Sequence, residues 1–464
     1  MNAEQYDALV LGSGEAGKYI AWHLAKSGQR TGVIERRYIG GSCPNIACLP
    51  SKNIIHSAKV ATYFRSSDEF GITKDNWTIQ MSGVRDRKRK MVDTLVKVHL
   101  DRYRTSGAEL IMGEGRFVEP RTIEVELPEG GKRVLRGERV FISTGSRATI
   151  DPIPGLLEAL PLTHVEALEL DYVPQHLIVI GGGYVGLELA HAMRRFGSQV
   201  TIVERSDRIT HQEDEDVSEA LEQLTRDEGI ELLSGTVVAR IEGKSGESIT
   251  LHGTRAGSPI AIEGTDLLVA TGRTPNTDGI GLELAGVERT GNGHVRVNER
   301  LETTAANVWA VGDCAGSPHF THIAFDDFRV VRDNLSGGHR VTTGRQVPFC
   351  LFTDPEFARI GLNETEAKAR GIPYRIAKIP MALVLRTHTL SETRGFMKAL
   401  IDRDTDRILG FSAFGVGAGE TMATVQLAIS AGLPYTALRD SIFTHPTMAE
   451  GLVVLFSAVP ANAK

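Results

Sequence analysis

One pattern occurs twice in this chain and constrains its fold more than any other feature. An apolar run at residues 6–11 leads into GSGEAG at residues 12–17, then a segment with helical spacing and a second apolar run ending at Glu35. The pattern returns at residues 176–204, where Gly12 corresponds to Gly181 and Glu35 to Glu204, a shift of 169 residues each. Such glycines permit a tight turn and close backbone approach to a pyrophosphate, and the carboxylate suits ribose hydroxyls. The sequence therefore predicts two dinucleotide-binding βαβ units, each opened by a glycine turn. Their fingerprint residues are Gly12, Gly14, Gly17 and Glu35 in the first copy and Gly181, Gly183, Gly186 and Glu204 in the second.

Two of the four cysteines lie in the segment GGSCPNIACLPSK, residues 40–52. Cys43 and Cys48 are close enough in sequence to cycle between two thiols and a disulfide without rearranging the fold. A helical run follows Cys48, and the free N–H groups at a helix start stabilise a thiolate and lower its pKa from roughly 8.5. Half a metal site and two ordinary thiols are the alternatives. No second cysteine pair or Cys/His cluster lies at zinc spacing, so no metal site is predicted.

Two nucleotide sites beside a dithiol imply two cofactors that hand electrons to each other. The first site is continuous with the cysteine segment, so its nucleotide is the one expected to touch the dithiol. A flavin accepts a hydride and passes electron pairs to a disulfide, which suits this first site. The second site would then hold the nicotinamide donor.

Length and charge bound the remaining possibilities. The chain has 464 residues, 41% hydrophobic and 24% charged, which suits an enzyme of two or three domains. A formal net charge of −6 gives no electrostatic reason to expect nucleic acid or an anionic membrane as a partner. The sequence shows no signal peptide and no apolar run long enough to span a bilayer. We therefore expect a reducing, cytoplasmic setting, in which a disulfide is catalytic rather than structural.

The cysteine segment resembles the redox loop of the pyridine nucleotide-disulfide oxidoreductases, a family that includes dihydrolipoamide dehydrogenase, glutathione reductase and mercuric reductase. Four further motifs follow in the family's order: ISTGSR at 142–147, ATGRTPN at 270–276, AVGDC at 310–314 and THPTMAE at 444–450. The resemblance covers essentially the whole chain. It implies an α/β fold with two Rossmann-like domains and a C-terminal α+β domain that forms a homodimer. The implied boundaries are 1–150 and 271–340 for the FAD domain, 151–270 for the NAD(P) domain, and 341–464 for the interface domain.

The resemblance also assigns roles to individual residues. Cys48 corresponds to the thiol against the flavin ring, and Cys43 to the thiol that attacks the substrate. Lys52, one helical turn beyond Cys48, corresponds to the lysine beside the flavin, where it can stabilise negative charge on the reduced ring. Glu188 corresponds to the glutamate that pairs with this lysine. A solvated helix lysine is the alternative reading of Lys52.

His445 is the expected acid/base. It corresponds to the family histidine that acts across the dimer interface, and Glu450 would hold one imidazole nitrogen and fix the tautomer. The other nitrogen would then exchange a proton with Cys43. A lone histidine is more often structural, and the other histidines carry no comparable context.

Further cofactor contacts follow from the same resemblance. Asp313 corresponds to the residue that binds the ribityl chain of the flavin, and HFTH at 319–322 to the backbone stretch after it. Cys314 is expected to be a small packed residue rather than a third redox thiol. The remaining implied contacts are Gly115, Thr144, Gly145, Ser146, Val238, Gly272, His319, Phe320, Thr321 and His322.

Three residues depart from the usual loop. Ser42 stands where threonine is common, Pro44 should stiffen the turn, and Ala47 stands where glycine is common. Ala47 would strain the loop if its backbone required a positive φ. None of these changes removes a reacting group. Elsewhere, the basic run RDRKRK at 85–90 is interpreted as a solvated helix face.

The resemblance leaves the substrate open. The stretches at 320–335 and 437–457 are most similar to the bacterial reactive-chlorine-resistance flavoproteins, which implies reduction of a small disulfide, oxidant or metal ion by NAD(P)H. A dihydrolipoamide dehydrogenase running toward NAD reduction and a mercuric reductase-like metal reductase are the alternatives. A flavin-binding scaffold with a vestigial redox centre is a third. A scaffold has no need to keep both cysteines, Lys52, Glu188, His445 and Glu450 together.

Glu204 indicates the nicotinamide cofactor. A carboxylate at the end of the second fingerprint accepts hydrogen bonds from both adenosine ribose hydroxyls, whereas a 2′-phosphate there would meet like charge. The sequence therefore favours NADH over NADPH. Arg205 and Arg208 follow closely, and either a turn toward a phosphate or a solvated loop is open to them.

Overall fold

The computed structural model describes residues 3–461. Its strands are β1 Glu4–Leu11, β2 Thr31–Glu35, β3 Glu109–Met112, β4 Glu114–Glu119, β5 Thr122–Glu126, β6 Lys132–Ile142, β7 Ser146–Ala148, β8 His176–Ile180, β9 Gln199–Val203, β10 Glu231–Leu233, β11 Thr236–Lys244, β12 Ser248–Arg255, β13 Ser258–Gly264, β14 Asp266–Val269, β15 Arg273–Pro275, β16 Val308–Ala310, β17 Phe349–Leu351, β18 Glu356–Gly361, β19 Tyr374–Pro380, β20 Phe396–Asp402 and β21 Ile408–Gly415.

The helices lie between groups of these strands along the chain. They are α1 Glu15–Lys26, α2 Ser42–Asn45, α3 Cys48–Arg65, α4 Met81–Ser106, α5 His164–Ala167, α6 Tyr184–Phe196, α7 Glu215–Asp227, α8 Thr321–Leu335, α9 Glu364–Ala369, α10 Leu385–Leu390, α11 Ala418–Ser430, α12 Tyr435–Arg439 and α13 Gly451–Ser457, with 3₁₀ turns at Ser67–Phe70, Gly312–Ala315 and Met381–Leu383. No helix within residues 3–461 is both long and apolar enough to cross a bilayer.

The first sheet has seven strands in the order β3-β2-β1-β6-β5-β4, with β16 also paired to β6. β1 pairs in parallel with β2 and β6, and α1 forms the crossover. Ala8 and Val10 pack into one core layer, while Leu9 and Leu11 pack into the layer on the other face. Both faces of the parallel strands are therefore covered, as such strands require.

The second sheet repeats this arrangement with four parallel strands, in the order β10-β9-β8-β14. A three-stranded antiparallel sheet, β11-β12-β13, packs beside it. β7 and β15 form a two-stranded ribbon where the chain enters and leaves this part of the molecule. The return of β16 to the first sheet agrees with the expected discontinuous first domain, whose boundaries stay a prediction.

The C-terminal part is α+β. Its five antiparallel strands run in the order β17-β18-β21-β20-β19, and α11 and α13 pack on them around one apolar core. A buried ion cluster joins this part to the second sheet, because Lys398 Nζ lies 2.8 Å from Asp214, 2.8 Å from Asp216 and 3.0 Å from Glu364. The α/β class predicted from the sequence is confirmed. Paired buried charge therefore holds the C-terminal part against the part that contains the second sheet.

One interpretation from the sequence is wrong. The basic run on α4 is not a uniformly solvated face, because Lys88 is 1% exposed and its ammonium pairs with Glu169. Arg87 and Arg89 in the same run are exposed. Helical spacing placed Lys88 on the inner side of α4, and a carboxylate from a distant segment compensates its charge.

Candidate functional site

The cysteine segment lies directly on the first glycine turn. Gly40 and Gly41 have φ values of 89° and 82°, a left-handed conformation that glycine adopts without strain. A Cβ added to Gly41 would lie 2.5 Å from Gly14 Cα, so the two backbones are in contact. Any nucleotide held at this turn therefore lies next to Cys43 and Cys48.

The two thiols have very different acidities. A hydrogen bond from the Cys43 thiol, together with the Thr321 hydroxyl and the Lys52 ammonium, lowers the pKa of Cys48 to about 6, although burial opposes the shift. The same bond to Cys48 and burial raise the pKa of Cys43. Thr321 Oγ1 lies 3.2 Å from Cys48 Sγ. Cys48 is thus the thiolate of the pair near neutral pH, at the helix start where the sequence predicts it.

Lys52 lies where three parts of the chain meet. Its Nζ is 2.7 Å from Glu188 Oε2, and it lies 4.8 Å from the centroid of the Phe352 ring. The Phe352 backbone N–H donates to Glu188 Oε1 at 2.9 Å. The predicted Lys52–Glu188 contact is present, and Glu188 is held from two sides.

His445 and Glu450 form the predicted pair. His445 Nδ1 lies 3.0 Å from both carboxylate oxygens of Glu450, which makes Nδ1 the hydrogen-bond donor and leaves Nε2 free to take a proton. The His445 side chain is 60% exposed. Within residues 3–461, no hydrogen bond joins His445 to either loop cysteine. A contact between them would have to come from another copy of the chain.

The first glycine turn fits a dinucleotide. A Cβ at Gly17 would come 2.4 Å from Gly12 O, so no side chain fits between the helix and the turn. Glu35 accepts hydrogen bonds from the Ser13 N–H and hydroxyl at 2.9 and 2.7 Å. The buried Thr144 hydroxyl has no partner within residues 3–461. A glycine cradle beside an unpartnered buried hydroxyl suits the FAD that the family pattern implies.

A polar cluster lies at the end of the first sheet. The Ser146 hydroxyl donates to Asp313 and accepts a hydrogen bond from Arg273 Nε at 2.7 Å. His322 Nε2 lies 2.7 Å from the backbone oxygen of Pro348, while Phe320 stacks on Phe349 at 5.9 Å between ring centroids. The predicted ribityl contact at Asp313 thus lies in a fixed network, and its role stays a prediction.

Several other expectations are decided by packing. Cys314 is fully buried and its thiol donates to the backbone oxygens of Ile142 and Val311, which confirms a packed residue. A Cβ at Gly115 would lie 2.8 Å from Leu11 Cδ1, so a side chain does not fit at this position without a shift of Leu11. Gly145 has a φ of 66°. Ala47 has a φ of −133°, so the strain considered for a left-handed residue does not arise.

The second glycine turn opens into a cavity of ≈790 Å³. Glu204 lines this cavity, and its carboxylate accepts hydrogen bonds from the backbone N–H groups of Gly182 at 2.7 Å and Ser206 at 2.8 Å. Arg205 also lines the cavity, whereas the Arg208 guanidinium donates to backbone oxygens of its own loop. The cavity brings together six residues predicted to bind cofactor: Gly181, Gly183, Glu204, Val238, Gly272 and His319.

Sequence reasoning missed the side chains that hold these groups in place. Thr321 was predicted as a cofactor contact from its position in a motif, but nothing in the sequence indicated its contact with Cys48. Tyr184, the first residue of α6, donates its hydroxyl to Glu213 Oε1 at 2.8 Å and stacks on Phe349 at 5.4 Å. An aromatic residue directly after a glycine turn was the only available hint. Phe352 had none.

Comparison with known proteins agrees with this geometry. The family model described as pyridine nucleotide-disulphide oxidoreductase matches residues 6–327, and its dimerisation domain matches residues 347–455. Over 461 residues the chain is 35% identical to the probable pyridine nucleotide-disulfide oxidoreductase RclA of Escherichia coli (strain K12), covering 98% of this chain and 99% of that protein. It is 34% identical to a mercuric reductase of Lysinibacillus sphaericus, over 97% of this chain and 82% of that protein. The solved structure of the Cu(II) complex of the HOCl-induced flavoprotein disulfide reductase RclA from Escherichia coli superposes with a TM-score of 0.89 at 34% identity, covering 99% of this chain and 100% of that one.

Proposed function

The chain belongs to the pyridine nucleotide-disulphide oxidoreductases, and we propose that it passes electrons from NADH through FAD and the Cys43–Cys48 pair to a small disulfide, oxidant or metal ion. The observation that carries this proposal is the contact of the cysteine loop with the first glycine turn, which sets a thiolate beside a nucleotide site. A homodimer in a reducing, cytoplasmic setting is part of the proposal.

The residues of this chain prepare both ends of the electron path. The first glycine turn would hold FAD and the second NADH, with Glu204 on the adenosine ribose. Bound FAD supplies hydride acceptance from the nicotinamide and electron-pair transfer to the disulfide. Lys52, oriented by Glu188, places a positive charge beside the thiolate and the ring position.

A disulfide substrate would be reduced by the dithiol in two thiol–disulfide exchange steps. His445 of the partner subunit takes the Cys43 proton, and the Cys43 thiolate attacks one substrate sulfur and breaks the substrate S–S bond. That proton goes to the first leaving thiolate. The Cys48 thiolate then attacks the Cys43 sulfur, which releases the second substrate thiolate and closes the Cys43–Cys48 disulfide. Two electrons leave the protein sulfurs, and the second product takes its proton from water.

Metal ions are a second candidate substrate class. One relative was solved as a Cu(II) complex and another is a mercuric reductase. Thiolate sulfur is a preferred ligand for soft metal ions, and Cys48 is a thiolate near neutral pH. In this reaction the dithiol would bind the ion and deliver electrons to it.

The Cys43→Ser variant tests the proposal. Turnover of disulfide-type substrates should fall roughly 1000-fold or more, since the attacking sulfur is gone. FAD content and reduction of the flavin by NADH should stay near wild type, because Cys43 faces the substrate. Stopped-flow flavin absorbance measures the reduction of FAD by NADH. Steady-state NADH oxidation measures substrate reduction with lipoamide, glutathione disulfide, Cu(II), Hg(II) and quinones.

Cys350→Ser is the matched control, because Cys350 lies on β17 outside the redox loop. It should turn over disulfides at the wild-type rate. Full activity in Cys43→Ser would overturn the electron path. Equal loss of activity in both variants would remove the evidence for a specific role of Cys43, because Cys350 lies near the Lys52–Glu188 pair.

A further inference from the structure

The cavity at the second glycine turn contains a histidine that neither the fingerprint nor the family motifs assign. His164 is the first residue of α5 and lines the ≈790 Å³ cavity together with Gly272, Arg273 and His319. It is 9% exposed, and its Nε2 is buried with no hydrogen-bond partner within residues 3–461. Buried polar atoms in folded proteins normally have partners, so this nitrogen is an exception that requires one.

The backbone of His164 is fixed independently of any ligand. Thr163 caps α5, with Val165 N–H donating to its hydroxyl at 3.2 Å and its own N–H donating to Glu166 Oε2 at 2.9 Å. Leu162 pairs in parallel with Leu268 on β14. The backbone of His164 is therefore held at a defined position at the carboxyl end of the sheet.

The order of elements along this edge locates His164 relative to a bound dinucleotide. The sheet runs β10-β9-β8-β14, with the Leu162 bridge beyond β14. Glu204 follows β9, the glycine turn follows β8, Gly272 lies just beyond β14, and His164 follows the bridge. A dinucleotide with its adenosine ribose at Glu204 and its pyrophosphate at the glycine turn would have its other half on the β14 side of the turn, where His164 lies.

Resting on the proposed function, we propose that Nε2 of His164 hydrogen-bonds an oxygen of the nicotinamide mononucleotide half of NAD(P)H. Burial and the nearby Arg273 lower the pKa of His164 to about 4, so the free ring is neutral at pH 7. The neutral imidazole would act through a hydrogen bond and its shape. The Glu204 carboxylate at the adenosine end, in contrast, carries a charge. His164 would therefore contact the nicotinamide mononucleotide half of the cofactor, and Glu204 the adenosine half.

The test compares ligands that contain that half with ligands that lack it. In the FAD-loaded protein, calorimetry measures the Kd of NAD⁺ and of ADP for wild type, His164→Leu and Glu204→Ala. His164→Leu should weaken NAD⁺ about tenfold, the scale of one buried hydrogen bond, and leave ADP within about twofold. Glu204→Ala should weaken both ligands. His164→Gln, which keeps a hydrogen-bonding group, should recover part of the NAD⁺ affinity.

Two outcomes would overturn the inference. One is unchanged NAD⁺ affinity in His164→Leu, and the other is an equal loss of NAD⁺ and ADP affinity, which would make His164 a packing residue. Flavin absorbance and thermal unfolding verify the fold, and His164→Phe replaces the leucine variant if that variant does not fold. A wild type that binds NAD⁺ but never delivers electrons to Cys43 would contradict the proposed function and leave this inference standing.

Discussion

The two glycine turns have the same backbone conformation and differ in the residues that surround them. Gly12 and Gly181 have φ values of 100° and 109°. A Cβ at Gly17 would lie 2.4 Å from Gly12 O, and one at Gly186 would lie 2.1 Å from Gly181 O. The glycines therefore specify one turn geometry twice, and we expect differences in nucleotide handling to come from the residues around them.

Those outside residues close the first turn and leave the second open. Gly41 of the redox loop packs on Gly14, whereas a Cβ at Gly183 would meet no other part of residues 3–461 within 4 Å. Both oxygens of Glu35 and both oxygens of Glu204 accept hydrogen bonds from the chain. Glu204 in addition lines the large cavity at its turn. We infer that the first site retains its cofactor and the second exchanges its own on every turnover.

The largest predicted effect comes from the same substitution in both turns. Gly17→Ala forces a Cβ against a carbonyl and should give protein without flavin, measured as loss of its visible absorbance. Gly186→Ala carries a similar local clash but should remain yellow and fail to be reduced by NADH. Flavin loss from both variants, at equal thermal stability, would show that the two turns do not hold different cofactors.

His445 lies outside both turns. Its substitution should therefore affect substrate reduction and leave the two nucleotide sites unchanged. His445→Ala should lower disulfide turnover roughly 100-fold, the usual scale for loss of a general acid/base. Reduction of the flavin by NADH in stopped flow should be unaffected. His445→Gln controls for side-chain volume, and a slowed flavin reduction in either variant would mean that the role is misplaced.

Glu204 should determine which nicotinamide cofactor binds at the open turn. Glu204→Ala removes a charge that repels a 2′-phosphate and should improve kcat/KM for NADPH relative to NADH by roughly tenfold. Arg205→Ala should leave NADH use nearly unchanged. A wild-type enzyme that prefers NADPH would show that the neighbouring arginines, not the carboxylate, decide the cofactor.

The smallest effect is a titration at the closed turn. Because the pKa of Cys48 is lowered to about 6, its thiolate persists at neutral pH and disappears as the pH falls through about 6. The ultraviolet thiolate absorbance of the reduced protein, minus that of Cys48→Ser, follows this step. Thr321→Val removes one hydrogen bond to the sulfur and should move the midpoint upward, while Thr321→Ser should restore it. An unchanged midpoint in Thr321→Val would exclude the hydroxyl as a contributor.

Features with a fixed spacing were predictable from the sequence. The spacing of the glycines predicted both turns. The helical run after Cys48 predicted that this residue lies at a helix start. The Lys52–Glu188 and His445–Glu450 contacts followed from motifs. Contacts without a spacing rule were not predictable, such as Gly41 on Gly14. The orphan nitrogen of His164 depends on segments that only the folded sheet brings together, and the buried position of Lys88 depends on a distant carboxylate.

The hydroxyl that helps to make Cys48 a thiolate lies 273 residues further along the chain. Glu188, which orients Lys52, also lies 136 residues beyond that lysine. During synthesis from the N-terminus, Cys43, Cys48 and Lys52 thus leave the ribosome long before Thr321 and Glu188 exist. A nascent or truncated chain without Thr321 should hold Cys48 at a higher pKa than the folded protein does, because one of the hydrogen bonds that lower it is missing. The full acidity of this thiol is expected only when the later parts of the chain have been made and have docked.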